Sequence, residues 1–142
     1  MMIVGNIDGV LLTPLNVINT FGGNVLHGMK VKDSGYSGFG EAYFSFIKKG
    51  KIKAWKLHTE MTMNLVVPVG EVGFVFYFEP SSSFEVFKIG TNNYKRLTVP
   101  PNIWFGFKCL SPHKSYILNI SNQLHDPKEV VRKPLSFLDF PS

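Results

Sequence analysis

Two glycines enclose the segment that indicates the fold: Gly50-Lys51-Ile52-Lys53-Ala54-Trp55-Lys56-Leu57-His58-Thr59-Glu60-Met61-Thr62-Met63-Asn64-Leu65-Val66-Val67-Pro68-Val69-Gly70. Between the glycines lie two runs rich in aliphatic, aromatic and β-branched residues, which predict strands at Ile52–His58 and Met63–Val69. Side chains alternate between the two faces of a strand, so Lys56 and His58 share one face and Trp55 lies on the other. The segment therefore predicts a pair of short strands that brings a lysine and a histidine together.

The same pattern of short runs and turn residues continues along the chain. It predicts strands at Val25–Val31, Glu41–Ile47, Gly73–Phe78, Phe84–Ile89, Tyr94–Val99, Ile103–Leu110 and Tyr116–Ile120. No window has a sustained helical period; only residues 127–138 are expected to hold a helical turn or two, limited by Pro134. We predict an all-β fold in one domain, residues 1–142.

Composition excludes several classes of protein. A hydrophobic fraction of 44% argues against disorder, and no apolar run reaches the ~20 residues of a membrane span. The first residues lack the pattern of a signal peptide, and the single cysteine, Cys109, is interpreted as a packing residue. These features predict a cytoplasmic protein.

A net charge of +5 favours anionic partners without selecting one. Five lysines lie within nine residues: Lys48, Lys49, Lys51, Lys53 and Lys56. They are consistent with a solvated turn, with a site for a phosphorylated ligand, or with nucleic-acid binding, although no nucleic-acid motif accompanies them.

The Gly50–Gly70 segment has the spacing of the first cupin motif, G-x5-H-x-H-x4-E-x6-G. Lys56 stands at the first histidine position and Met63 at the glutamate position, so only His58 matches a metal ligand. Residues 100–105 resemble the start of the second motif, with Phe105 at its histidine position. The resemblance implies a cupin jelly roll. Because three of the four ligand positions carry Lys, Met and Phe, we expect no metal and no other cofactor.

His58 is the candidate acid/base, because a histidine titrates near neutrality and can remove a proton from carbon next to a carbonyl. Lys56 beside it could stabilise a developing enolate. The turn at residues 48–51 predicts that strand 41–47 is the hairpin neighbour of strand 52–58, which would place Tyr43 and Glu41 beside His58. A satisfied core histidine and a packed core tyrosine are the alternative interpretations.

Further candidates are weaker. Either Lys95 or Arg96 could face inward to meet phosphates, and Trp104 could stack on a base, with core packing as its alternative. Of the other histidines, His27 could reach the cavity from an N-terminal strand, whereas His113 and His125 are expected in turns.

From about residue 39 onward the chain resembles the nucleotide-sugar branch of the cupins. The resemblance rests on residues 53–58, 97–108, 110–111 and 125–132. In the dTDP-4-keto-6-deoxyhexose 3,4-ketoisomerases, R-G-x-H-x-H implies that His58 is the acid/base and that Lys53 takes the place of an arginine. Tyr43 is similar to their tyrosine on the preceding strand after a one-residue shift. In the dTDP-4-dehydrorhamnose 3,5-epimerases, the catalytic tyrosine falls on Asn119 and the catalytic histidine on Lys56.

The chain is too short for the C-terminal part that supplies the aspartate orienting the epimerase histidine, so we expect no complete dyad of that type. The resemblance as a whole implies a metal-independent epimerase or ketoisomerase. It would act on a nucleotide-linked 4-keto-6-deoxy sugar through an enediolate, in bacterial surface polysaccharide biosynthesis. Catalytic residues would be His58, Tyr43 and Lys56, and substrate-binding residues Lys53, Arg96, Glu41, Trp104 and Asn119.

Two other functions remain open: a non-catalytic nucleotide-sugar binding cupin and a metal-dependent cupin. A homodimer is expected from the resemblance, through an N-terminal strand paired across subunits, and the apolar, glycine-punctuated segment 7–31 is compatible with it. No membrane partner and no nucleic-acid partner are expected.

Overall fold

The computed structural model describes residues 3–4 and 9–141, and most of its regular structure is extended. The strands are β1 (Ile3–Val4), β2 (Leu11–Pro14), β3 (Val17–Ile18), β4 (Val25–Leu26), β5 (Glu41–Ile47), β6 (Ile52–His58), β7 (Met63–Val69), β8 (Glu71–Phe78), β9 (Ser83–Gly90), β10 (Lys95–Val99), β11 (Trp104–Cys109), β12 (Ser115–Ser121) and β13 (Val130–Arg132). Short 3₁₀ turns lie at Glu79–Ser81 and Leu135–Phe137. The all-β prediction is confirmed.

Two antiparallel sheets face each other. One has the strand order β1-β2-β10-β7-β12-β5 and the other β13-β6-β11-β8-β9, while β3 and β4 form a separate two-stranded sheet. Apolar side chains from the inner faces form the core, and these include Leu65, Val67, Phe74, Phe76, Leu97 and Ile117. Sequential strands often belong to different sheets, so residues distant in sequence meet between the layers.

The glycines that enclose the first segment have a conformational reason to be there. Gly50 has φ of +71° and Gly70 has φ of +95°, a region that other residues adopt only with strain. A Cβ on Gly70 would also lie 2.2 Å from the Ser115 hydroxyl oxygen. Both turns therefore require glycine, which explains why the spacing between them indicates the fold.

Several predictions about individual elements were wrong. The connection between β5 and β6 is not a hairpin, because β5 pairs with β12 and β6 pairs with β11 and β13. The predicted strand at 25–31 ends at Leu26. Of residues 127–138, only Leu135–Phe137 form a helical turn, of the 3₁₀ type, whereas Val130–Arg132 form strand β13 at the edge of a sheet beside β6.

No helix within the described residues is long and apolar enough to cross a membrane. Residues 5–8, which include the start of the segment expected to mediate dimerisation, lie outside the described part of the chain.

Candidate active site

The core leaves a cavity of about 180 Å³ between the two sheets. Its floor is apolar, built from Leu65, Phe74 and Ile117, and one wall carries the aromatic rings of Phe105 and Phe107. Polar side chains enter it from both sheets and from the loop before β13: Tyr43, Ser45, Lys53, Lys56, His58, Asn119, His125 and Arg132. A closed apolar base with convergent polar groups is the usual form of a small-molecule site.

A β-bulge decides which side chains of β6 face the cavity. Phe107 pairs with Lys53 and Phe105 pairs with Lys56, while Trp55 is the additional residue that has no partner on β11. Simple alternation would place Lys53 and Lys56 on opposite faces. The bulge restores both to the cavity side, and Trp55 becomes fully buried on the other face of the sheet.

His58 is oriented by a buried carboxylate. Its Nδ1 lies 2.7 Å from Oε1 of Glu129, and the Glu129 side chain is 1% exposed. The other carboxylate oxygen accepts the backbone N–H groups of Glu60 and Met61 at 3.0 and 2.9 Å. On the opposite side, the imidazole stacks on Phe105 with 5.9 Å between ring centroids. The position of the imidazole ring is therefore fixed both by the hydrogen bond to Glu129 and by stacking on Phe105.

The charge state of Glu129 follows from these contacts. Burial by itself would raise the pKa of this carboxyl, but hydrogen bonds from His58 and from the two backbone N–H groups outweigh it, and the pKa lies below its ordinary value. An ionised Glu129 accepts a hydrogen bond from the N–H at Nδ1 of His58. In the neutral imidazole this leaves the lone pair on Nε2. This is the tautomer that a general base requires.

Three cations lie along the same wall. Arg132 is paired directly with Lys56 in the β13–β6 register, and Lys53 precedes them on β6. Partial burial lowers the pKa of the Lys56 ammonium, and the charges of Arg132 and Lys53 lower it further. These three side chains also line an adjoining cavity of about 360 Å³, so the cationic surface extends from one cavity into the next.

The facing wall is neutral. Tyr43 on β5 and Asn119 on β12 are directly opposite each other in the strand register, and Asn119 Nδ2 donates a hydrogen bond to the Tyr43 hydroxyl at 3.0 Å. Asn119 is 5% exposed. Tyr43 and His58 belong to different sheets, so they face the cavity from opposite walls.

The side chains present do not fit a cupin metal. Lys56, Met63 and Phe105 line the cavity beside His58, and an ammonium, a thioether and a phenyl ring are not the ligands that such a centre requires. Among the residues that the structure describes, no cluster of three His, Cys, Asp or Glu side chains could hold a metal ion.

Three predicted binding residues lie away from the cavity. Trp104 packs with Trp55 and Val75 on the outer face of its sheet, under the C-terminal residues, and its Nε1 donates to Glu79 at 2.7 Å. The predicted stacking role is therefore not supported. Strand alternation explains the difference, because Phe105 takes the inward position next to it.

Arg96 is fully buried on the side of β10 opposite the core. Its guanidinium donates to the carbonyls of Gly28 and Ser34 at 2.8 and 3.1 Å and lies 3.3 Å from Asp33 Oδ2. It holds the 28–34 segment against the sheet rather than meeting a phosphate. Glu41 likewise does not line the cavity; its carboxylate accepts the backbone N–H of His125.

Three residues at the site were not predicted from the sequence: Glu129, which contacts His58, and Arg132 and His125, which line the cavity. The carboxylate that orients His58 comes from residue 129, which no sequence prediction named. The available signal was the acidic and basic pair in Glu129-Val130-Val131-Arg132, which spans a short apolar run of the type that forms a strand. Because a helical turn was predicted for residues 127–138, this strand was not predicted.

Solved structures resemble this chain over nearly its whole length. A dTDP sugar isomerase from Desulfovibrio desulfuricans G20 is 33% identical, with 94% of this chain and 90% of that chain covered and a TM-score of 0.89. The chain belongs to the cupin-fold family of nucleotide-sugar isomerases and epimerases.

More distant members of this cupin family share the fold. A 4-keto-6-deoxy sugar epimerase from Streptomyces spheroides is 16% identical, with 100% of this chain and 79% of that chain covered and a TM-score of 0.86. A sugar 3,4-ketoisomerase from Thermoanaerobacterium thermosaccharolyticum, in complex with TDP, is 13% identical, with coverages of 89% and 90% and a TM-score of 0.76. A scan for known protein families and a search of curated proteins both find no match.

Proposed function

We propose that this cupin is an isomerase that moves a proton at carbon next to the ketone of a TDP-linked 4-keto-6-deoxy sugar. The observation that carries the proposal is the His58–Glu129 pair at 2.7 Å, which gives a fixed imidazole base at the cavity wall. Family membership and the dTDP-sugar isomerase at 33% identity support the substrate class.

The reaction uses the two walls in sequence. Nε2 of His58 takes the proton from the carbon next to the ketone, and the electron pair of that C–H bond moves to give an enediolate. Lys56 stabilises the oxygen charge, and Tyr43 donates to or positions an oxygen from the opposite wall. A proton returned to the same carbon from the other face completes epimerisation. A proton delivered to C4, with loss of the C3 hydroxyl proton, instead moves the ketone to C3.

The cations are the groups that would bind the diphosphate. Lys53 and Arg132 lie where the cavity meets its neighbour, and guanidinium groups bind phosphate oxygens in a bidentate manner. A sugar beside His58 would then have its diphosphate at the cationic junction and its nucleoside in the adjoining cavity. Asn119 contacts the sugar from the other wall.

Solvent-deuterium exchange tests the proposal. The protein is incubated in D₂O with TDP- and GDP-linked 4-keto-6-deoxy sugars, and products are analysed by NMR and mass spectrometry. Deuterium at C3 or C5 of a 4-keto sugar is the result expected of an epimerase, and deuterium at C4 of a 3-keto product is the result expected of a ketoisomerase. Binding without exchange for every sugar would instead support a non-catalytic binding cupin.

We further propose that the reaction is metal-independent, because the ligand positions are occupied by Lys56, Met63 and Phe105. Activity that survives chelation and dialysis is the expected result. A stoichiometric transition metal that survives dialysis and is needed for turnover would contradict it.

A homodimer is part of the proposal. Phe44 and Phe46 on edge strand β5 are 66% and 46% exposed, and Phe21 between β3 and β4 is fully exposed. Exposed apolar side chains beside an unpaired strand edge favour association. Sedimentation velocity should show twice the monomer mass, and Phe44→Lys should lower it.

We also propose a cytoplasmic, single-domain enzyme of surface polysaccharide biosynthesis, as the resemblance implies.

A further inference from the structure

Asn119 has an unused acceptor. Within the described part of the chain, its Oδ1 is buried and has no hydrogen-bond partner, although its Nδ2 is engaged with the Tyr43 hydroxyl. Buried amide oxygens in proteins nearly always have a partner. This one belongs to a side chain that lines the cavity, so the missing partner is a group that the cavity receives.

The strand pairing fixes the position of this amide. Asn119 lies on β12, which is paired on one side with β5 and on the other with β7, where Leu65 is its neighbour. Both neighbouring strands hold the backbone, and the bond to Tyr43 holds the side chain. Its free oxygen is therefore preorganised and does not depend on a mobile loop.

The pair presents a donor beside an acceptor. Because Tyr43 already accepts a hydrogen bond from Asn119, its own O–H is available to donate into the cavity. Asn119 Oδ1 can only accept. A ketone oxygen next to a hydroxyl group has the complementary pattern, since the ketone can only accept and the hydroxyl can donate. In a 4-keto-6-deoxy hexose, C3 is the carbon next to the ketone that carries a hydroxyl.

We propose that the Tyr43–Asn119 pair recognises an α-hydroxyketone, with Asn119 Oδ1 accepting the C3 hydroxyl while Tyr43 donates to the C4 ketone. This inference rests on the proposed function and adds to it a requirement on the substrate. Asn119 becomes the residue that determines specificity for a free C3 hydroxyl. Sites built to bond a substrate hydroxyl reject analogues that lack it.

The test combines two substrates with three proteins. The substrates are the TDP-linked 4-keto-6-deoxy sugar and its counterpart with hydrogen in place of the C3 hydroxyl. The proteins are wild type and two variants. Asn119→Leu replaces the amide with an apolar side chain of similar size and so removes the acceptor, whereas Asn119→Asp keeps an acceptor oxygen. Deuterium exchange next to the ketone gives kcat/KM for each combination, and thermal melting checks that each variant folds.

Wild type should prefer the hydroxyl substrate by about 10²-fold or more. Asn119→Leu also removes the hydrogen bond to the Tyr43 hydroxyl, so it should lower the rate on both sugars, with a loss about tenfold or more larger on the hydroxyl substrate. Asn119→Asp should keep the preference. Equal losses on both sugars in Asn119→Leu would overturn the inference and leave the proposed function intact. If Asn119→Leu does not fold, loss of the preference in Asn119→Asp overturns it instead. No exchange by wild type with either sugar would overturn both.

Discussion

The two walls of the cavity differ in charge and in the origin of their residues. The β6–β13 wall carries His58 with Glu129 and the cations Lys53, Lys56 and Arg132, whereas the β5–β12 wall carries the neutral pair Tyr43 and Asn119. Charged groups suit proton removal and phosphate binding, and a neutral donor and acceptor suit recognition of sugar oxygens. The comparison indicates a division of labour, in which the charged wall removes the proton and binds the phosphates, and the neutral wall binds the sugar oxygens on which charge develops.

The largest expected effect is on the charged wall, from His58→Asn. General acid–base assistance is typically worth about 10²–10⁴ in rate, and we expect a loss near the upper end, measured by deuterium exchange. The matched control is His113→Asn at an exposed turn, which should leave activity unchanged. Near wild-type turnover in His58→Asn would exclude His58 as the base.

Glu129→Gln should reduce the rate by about 10²-fold, because the orienting charge on His58 is lost. It should also cost about 1–3 kcal/mol of unfolding free energy, since an amide cannot accept from all three donors. Glu60→Gln, at an exposed neighbouring carboxylate, is the control for both measurements. An unchanged rate with lowered stability would make Glu129 purely structural.

The stability conferred by Glu129 depends on pH. Because its pKa is lower in the folded protein, its contribution is complete above the ordinary glutamate pKa of about 4.3 and is lost as pH falls through the folded value. Denaturation from pH 6 to pH 3 should therefore show a smaller loss of stability in Glu129→Gln than in wild type. Parallel curves of unfolding free energy against pH for the two proteins would show that the pKa of the Glu129 carboxyl is not lowered by folding.

Tyr43→Phe tests the neutral wall and should lower kcat by about 10²-fold, with a smaller change in KM. Tyr116→Phe, which removes a hydroxyl from a tyrosine packed beside Phe46, is the control. If Tyr43→Phe changed KM alone, the Tyr43 hydroxyl would contribute to substrate binding and would have no part in the chemical step.

Arg132→Gln should weaken TDP binding by about tenfold, equivalent to about 1.4 kcal/mol, and should reduce the dependence of affinity on salt. Lys128→Gln, at an exposed position, should do neither. Titration calorimetry at two ionic strengths measures both. Unchanged TDP affinity would move the diphosphate away from the β13 side of the charged wall.

The smallest effect on activity is expected from Trp104→Phe. This change removes the bond to Glu79 and part of the outer aromatic cluster, so it should cost about 1 kcal/mol of stability while kcat/KM stays within twofold. A large loss of TDP affinity would restore the stacking role predicted from sequence.

The sequence alone was sufficient to predict the fold class and three of the five residues of the charged wall, His58, Lys53 and Lys56. Turn residues and the spacing between Gly50 and Gly70 predicted the strands of residues 41–69. This was possible because turn conformation and the alternation of side chains along a strand depend on residues that are close in sequence. The absence of metal-ligand side chains at Lys56, Met63 and Phe105 was likewise evident from the sequence.

Only the tertiary structure decided which of the other candidates reach the cavity. Glu129 meets His58 across 71 positions in the chain, Arg96 and Trp104 point away from the cavity, and a bulge at Trp55 brings Lys53 to the same side as Lys56. These outcomes depend on which strands pair and in which register, and pairing between strands distant in sequence is set by the packing of the whole sandwich. The sequence determined the residue types available for proton transfer, and the sheet pairing determined which of them could act together.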